Sequence, residues 1–168
     1  LLWILEHKTV YTAGISSNKK DIINKKIKII ETKRGGKHTL HSPGQKVVYF
    51  VLNLNHRKKD IRKFINVIEN SIIQFLETYR IKAKNDKKNI GIWVNQKKIA
   101  AIGLRVSRWI AYHGCSINIK NNLNDYLKIV PCGLDNKKIT SVLNESGIVN
   151  KDIDKKLKKI FIKNIYKI

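Results

Sequence analysis

Two thiols, one lysine and a run of glycines and histidines are the residues here whose types and spacing can do chemistry. Cys132 sits in Val130-Pro131-Cys132-Gly133, where a short apolar run breaks between a proline and a glycine. Proline fixes its own φ and biases the residue before it toward extended geometry, while glycine tolerates almost any φ/ψ. A side chain held there is presented from a sharp turn at a strand end, as a nucleophile must be. The competing reading is a buried thiol serving as a small hydrophobe, the commoner fate of free cysteine. Cys115 follows His113-Gly114. On an extended chain, side chains two apart share a face without having to meet, and Cys–His dyads are assembled in space rather than in sequence. The residues alone do not rank Cys115 against Cys132.

Lys98 lies beside the turn residues Asn95-Gln96-Lys97-Lys98, just before the apolar stretch Ile99-Ala100-Ala101-Ile102-Gly103. The ordinary state of such a lysine is solvated. Desolvated beside a thiol, it would favour the thiolate. That matters because a cysteine of pKa ~8.5 is only a few per cent thiolate at neutral pH. A third group is Arg34-Gly35-Gly36, followed by His38, Thr39, His41 and Gln45. Glycines lack the Cβ that would hold a ligand away from backbone N–H groups, so a lined pocket is expected here. The pattern is neither GxGxxG nor a Walker loop, and a nucleotide site does not follow.

The elements that must position these groups follow from periodicity. Glu6 to Gly14 reads as a strand ending in a glycine turn, Ser16 to Lys28 as a polar loop or short helix, and Ile27 to Gly36 as a strand running into a turn. Val47 to Leu54 is a continuous apolar run, the pattern of a buried central strand. Asp60 caps a helix with an apolar stripe at Ile61, Phe64, Ile65, Ile68, Ile72, Phe75, Leu76 and Tyr79. Ile90 to Val94 and Ile99 to Val106 form a hairpin, and Trp109 to Tyr112 with Ser116 to Ile119 suggest a second strand pair around His113-Gly114. A short helix over Thr140 to Asn144 and a last one striped by Ile153, Leu157, Phe161 and Ile165 complete an α+β chain with a mostly antiparallel or mixed sheet.

Composition bounds the reading. A chain of 168 residues, 42% hydrophobic and 28% charged, fits one globular domain. No run approaches the roughly 18 apolar residues of a membrane span, and the opening Leu1-Leu2-Trp3-Ile4-Leu5 lacks the basic flank of a signal peptide. There is no methionine, so the expectation is a single domain over residues 1–168 without its native N-terminus. Two cysteines make no disulfide framework, and no Cys/His spacing typical of zinc occurs. Free thiols in a reducing, cytoplasmic setting are the simpler reading. The formal charge of +23 is nearly all scattered lysine, with arginine only at positions 34, 57, 62, 80, 105 and 108. Readers of nucleic acid lean on clustered arginine and interleaved aromatics. Neither is present, and an acidic protein partner fits the charge equally well.

Taken together, Leu5-Glu6-His7, Val10-Tyr11-Thr12-Ala13-Gly14, Arg34-Gly35-Gly36, Thr39, His41, Pro43-Gly44-Gln45, Lys98 to Gly103, Arg105, His113-Gly114, Asn118 and Pro131-Cys132-Gly133 resemble the lipoyl(octanoyl) transferase family in order and separation along nearly the whole chain. The resemblance implies a fold like that of biotin and lipoate protein ligases, an α/β architecture around a mixed sheet. It implies transfer of an octanoyl group from octanoyl-acyl carrier protein to a lysine on the lipoyl domain of 2-oxoacid dehydrogenases or the glycine cleavage H protein. It implies that no cofactor, metal, nucleic acid or membrane takes part. Cys132 matches the family's acyl-carrying nucleophile and Lys98 its paired general acid/base. Arg34, Gly35, Gly36, Lys37, His38, Thr39, Leu40 and His41 match segments that line the acyl pocket, as do Ala101, Ile102 and Gly103, and Gly114, Cys115 and Ser116. The chain departs from the family at Lys8-Thr9, where Pro-Pro is common. Leu40 and Ser42 stand where an aromatic residue and a glycine are usual, which alters the expected pocket wall. Two rivals are an ATP-dependent lipoate or biotin ligase of the same fold, which needs no cysteine nucleophile, and a basic nucleic-acid-binding module. A third is an inactive scaffold.

Overall fold

A computed structural model describes residues 1–57, 59–86, 89–130 and 139–167. Pro131-Cys132-Gly133 lies outside them. Strands β1 (Leu2–Leu5), β5 (Gln45–Asn53), β6 (Lys84–Asn85), β7 (Ile92–Val94), β8 (Lys97–Ser107) and β9 (Ile110–Asn118) form one sheet in the order β1-β5-β9-β8-β7-β6. Every neighbouring pair in it is antiparallel. A smaller sheet, β3-β2-β4, is built from β2 (Val10–Ala13), β3 (Ile29–Glu31) and β4 (Thr39–His41), with β2–β3 parallel and β2–β4 antiparallel. Among the described residues no helix is long and apolar enough to cross a membrane.

Helix α1 (Ile61–Glu77) starts where the sequence places it, because the Asp60 carboxylate accepts a hydrogen bond from Lys63 N–H at 2.9 Å. Its stripe Phe64, Ile68, Ile72, Phe75 and Leu76 is fully buried. Helix α3 (Ile153–Ile165) packs beside it. Phe161 of α3 meets Phe50 of β5 at 5.5 Å between ring centroids, and Phe64 of α1 meets the same ring edge-on at 5.9 Å. The buried stripe of α1 and that of α3 join β5, β7, β8 and β9 side chains in one apolar core on one face of the large sheet. The short helix α2 (Val142–Ser146) is capped by Ser141 and closed by Gly147 at φ 71°.

Several expectations change. The first apolar run is itself a strand, β1, and only Val10–Ala13 of the next segment pairs. Between them the Glu6 carboxylate accepts from Gly44 N–H at 2.7 Å and pairs with Lys46 at 3.0 Å, turning the chain from one sheet to the other. The hairpin turn is only Asn95-Gln96, both left-handed at φ 45° and 65°, which makes Lys98 a strand residue paired with Trp93. Residues 109–119 do not bend at His113-Gly114. They form the single strand β9, and the turn lies at Arg108-Trp109 (φ 47° and 62°).

Candidate active site

The two sheets enclose a cavity of about 260 Å³. Its walls come from Val10 and Thr12 of β2, Ile30 of β3, Thr39 and His41 of β4, Val47 and Tyr49 of β5, Ala101, Ile102 and Gly103 of β8, and His113 to Ser116 of β9, with His7 and Thr32 completing them. Arg34 to Lys37 cross over it. A second cavity of about 340 Å³ shares Gly35, Gly36, Lys37, Ala101 and Ile102 with the first and is also lined by Lys98. Small residues open this space. Gly103 and Gly114 are direct cross-strand partners, and a Cβ on Gly103 would stand 3.3 Å from Arg34 Cδ and from the Gly35 carbonyl.

The 34–36 segment is fastened rather than loose. Arg34 Nη2 donates to the Thr12 carbonyl at 2.8 Å and to its hydroxyl at 2.9 Å, and Nη1 donates to the Gly35 carbonyl at 3.0 Å. Gly35 N–H donates to the Leu104 carbonyl of β8 at 3.2 Å, so this glycine allows backbone to approach backbone and its N–H is already engaged.

Lys98 is only 8% exposed, which is rare for lysine. Its ammonium donates to the Ile90 carbonyl at 3.0 Å and lies 5.0 Å from the centre of the Trp93 ring. Gly91, at φ 141°, makes room: a Cβ there would come 2.8 Å from Lys98 Cε. The Lys98 carbonyl accepts from Thr140 N–H at 3.0 Å. The lysine is therefore tied to the chain just beyond the segment that holds Cys132.

A buried polar chain runs from Thr140 to the cavity wall, and one backbone carbonyl orients all of it. The Thr140 carbonyl can only accept, so Asn118 Nδ2 donates to it at 3.0 Å and Asn118 Oδ1 accepts from Gln45 Nε2 at 2.8 Å. Gln45 Oε1 must then accept from His41 Nδ1 at 2.7 Å, which leaves His41 Nε2 without a proton in the neutral ring. Burial holds His41 down to about 4, so the ring is neutral at neutral pH. His7 Nε2 meets the Tyr49 hydroxyl at 2.8 Å beside it.

Residues singled out in the sequence are placed unevenly. Arg34, Gly35, Gly36, Lys37, Thr39, His41, Ala101, Ile102, Gly103, Gly114, Cys115 and Ser116 all line the cavity. His38 and Leu40 do not. Strand alternation turns them away, and Leu40 is fully buried in a separate small core with Tyr11, Tyr126 and Ile129. Leu40 is thus no part of the pocket wall. Cys115 belongs to the apolar core as well as to the cavity lining, and burial raises its thiol well above the usual range, which makes it a poor nucleophile. His7, Val10, Thr12, Ile30, Thr32, Val47, Tyr49 and His113 also line the cavity and were not picked out as pocket residues. Strand alternation in β2 and β5 was the signal for Val10, Thr12, Val47 and Tyr49, once the facing sheet is known. No cluster of His, Cys, Asp or Glu among the described residues could hold a metal ion.

Residues 1–163 match the family described as the lipoyl protein ligase A/B catalytic domain. The chain belongs to that family. Within it, an octanoyltransferase of Bartonella tribocorum is 44% identical over 177 residues, spanning 96% of this chain and 72% of the relative. The likeness to solved structures is at the level of fold. A bipartite lipoate protein ligase of Thermoplasma acidophilum superposes with TM-score 0.74 at 14% identity, over 98% of this chain and 71% of that one. A biotin protein ligase of Aquifex aeolicus, solved with biotin and ATP, gives TM-score 0.61 at 16% identity over 93% of this chain and 69% of that one. The lipoyl protein ligase A/B fold is therefore the one this chain adopts.

Proposed function

We propose that this protein is an octanoyltransferase that moves an octanoyl group from a carrier thioester to a lipoyl-domain lysine, with Cys132 carrying the acyl group and Lys98 moving the protons. The observation that supports it most is a nearly buried ammonium lining one of two adjoining cavities, on the strand that walls the other. The octanoyltransferase relative is 44% identical, whereas the ligases named above share 14% and 16% and speak only for the fold. The Cys132 thiolate attacks the incoming thioester carbonyl, and the carrier thiol leaves with a proton from Lys98. The acceptor lysine amine then attacks the Cys132 thioester, forming an amide and releasing Cys132 as the thiolate. One thioester replaces another of similar energy, so the acyl group needs no activation by ATP. The neutral Lys98 amine that results from the first step takes the proton from the acceptor amine in the second. Acyl carrier protein is the donor that fits this chemistry, with lipoyl domains of 2-oxoacid dehydrogenases and the glycine cleavage H protein as acceptors.

Intact mass after incubation with octanoyl-acyl carrier protein tests the assignment. One octanoyl adduct is expected, absent from Cys132→Ser and present in Cys115→Ser. An adduct that survives Cys132→Ser would sink it. Lys98→Ala should slow adduct formation by about 10²–10⁴-fold.

A further inference from the structure

His113 is the conformational anomaly of β9. Its φ is 65° in a strand that pairs residue by residue with β5 on one side and β8 on the other. Residues other than glycine are uncommon there, histidine less so than most, and a left-handed residue inside a strand is a feature that collects where function needs it. Regular alternation would send residue 113 to the helix side with its register partners Phe50 and Leu104, which belong to or pack on that core. His113 instead lines the cavity, its ring centroid is 5.0 Å from that of Tyr112, and Arg34 and Arg105 are the charges that act on it, so the left-handed backbone puts the ring on the cavity side. Rings of adjacent strand residues do not ordinarily meet, because they point to opposite faces. His113 Nε2 is buried and has no hydrogen-bond partner among the described residues. Burial first, then the charges of Arg34 and Arg105, lower its pKa and keep the ring neutral.

Its place along the site is fixed by register. His113 pairs with Leu104, and Lys98 lies further back on the same strand, about 20 Å away along it. An acyl chain with its thioester end at Lys98 points its methyl end toward His113. We propose that His113 sets acyl chain length, its imidazole closing the cavity at the end away from Lys98 so that the terminal methyl of a medium-length chain stops against it. This rests on reading Lys98 as the thioester end. A longer chain must bury the unpartnered nitrogen against methylene groups, which is unfavourable.

Calorimetric titration of the full chain with saturated carboxylates of six to twelve carbons tests this without turnover. In the wild type, affinity should rise to octanoate and then level off, decanoate falling within about twofold of it. In His113→Gly the rise should continue by about fourfold per methylene, so that decanoate binds about 15-fold more tightly than octanoate. His113→Gly should also melt no lower than the wild type, since glycine takes φ 65° without strain. His113→Asn, which accepts a left-handed backbone and shortens the side chain, should level off between the two. A plateau at octanoate in both variants overturns the proposal. So does a lower melting temperature with affinity lost at every chain length. Wild type that takes up no octanoyl group from its carrier counts against the transferase reading alone, because the binding series still decides the role of His113.

Discussion

The two faces of the large sheet are made from the same strands and have opposite characters. On the helix side Phe50, Ile99, Ile117 and their neighbours join the buried stripes of α1 and α3 in one apolar core. On the other side the register sets Ala101 against Ser116 and Gly103 against Gly114, and the small sheet rests on a gap rather than on a filled layer. Alternation along β8 and β9 writes both characters into adjacent residues: large side chains point one way and small ones the other. The filled face carries stability, because tight packing makes each lost methylene felt. The open face keeps polar and strained groups, Arg34, His41 and His113, that packing for stability alone would not retain. A cavity between sheets is thus kept open by a few small side chains while the opposite face supplies the rigidity.

The comparison breaks if the helix face proves dispensable. Phe64→Ala should lower the unfolding free energy by about 3–5 kcal/mol, read by urea denaturation, while the order of preference among acyl chain lengths stays as it was. A smaller effect is expected from acid at the open face. The folded His41 pKa of about 4 lies below the unfolded value, so the unfolded chain takes up a proton that the folded ring refuses. Its stabilising contribution is complete above the unfolded pKa and is lost as pH falls from about 6.5 to 4, by about 3 kcal/mol. His38 and His113, also lowered chiefly by burial, act in the same direction. His41→Asn should flatten part of that limb in melting curves taken across pH, and an unchanged limb would remove His41 from it. Gly103→Val sharpens the contrast, filling the gap under Arg34. Octanoate affinity should drop about tenfold, near 1.4 kcal/mol, with a far smaller fall in stability than Phe64→Ala causes. The smallest change is Asp60→Ala, which removes the cap of α1 for about 1 kcal/mol and leaves acyl binding untouched.

Local signals were legible where the physics is local. The cap of α1 and its stripe from Phe64 to Leu76 appear in the structure as the sequence writes them, with Ile61 exposed and Tyr79 just past the helix end, and so does a hairpin over 90–106, although its turn is two residues shorter at the Lys98 end. The segment 109–119 misled because a glycine next to a histidine looks like a turn. Gly114 instead lets β5 come close, since a Cβ there would overlap the Val48 carbonyl. Val47 to Leu54 looked like a strand buried on both faces. Its helix side is closed, while the other side runs from a buried Val47 to an exposed Val51.

By itself the sequence determined the long helix and the last helix with their apolar stripes, the hairpin over 90–106 and the family, because these depend on neighbours in the chain and on motifs held in order. Which side chains share the cavity depended on register between strands far apart in sequence. That register turned Leu40 and His38 away, buried Lys98 against Ile90 and Trp93, and set His113 opposite Leu104. A one-residue slip in pairing would reverse every one of those facings, and no local pattern fixes it. Only the packing of one sheet on the other turned a row of small residues into a place for an acyl chain.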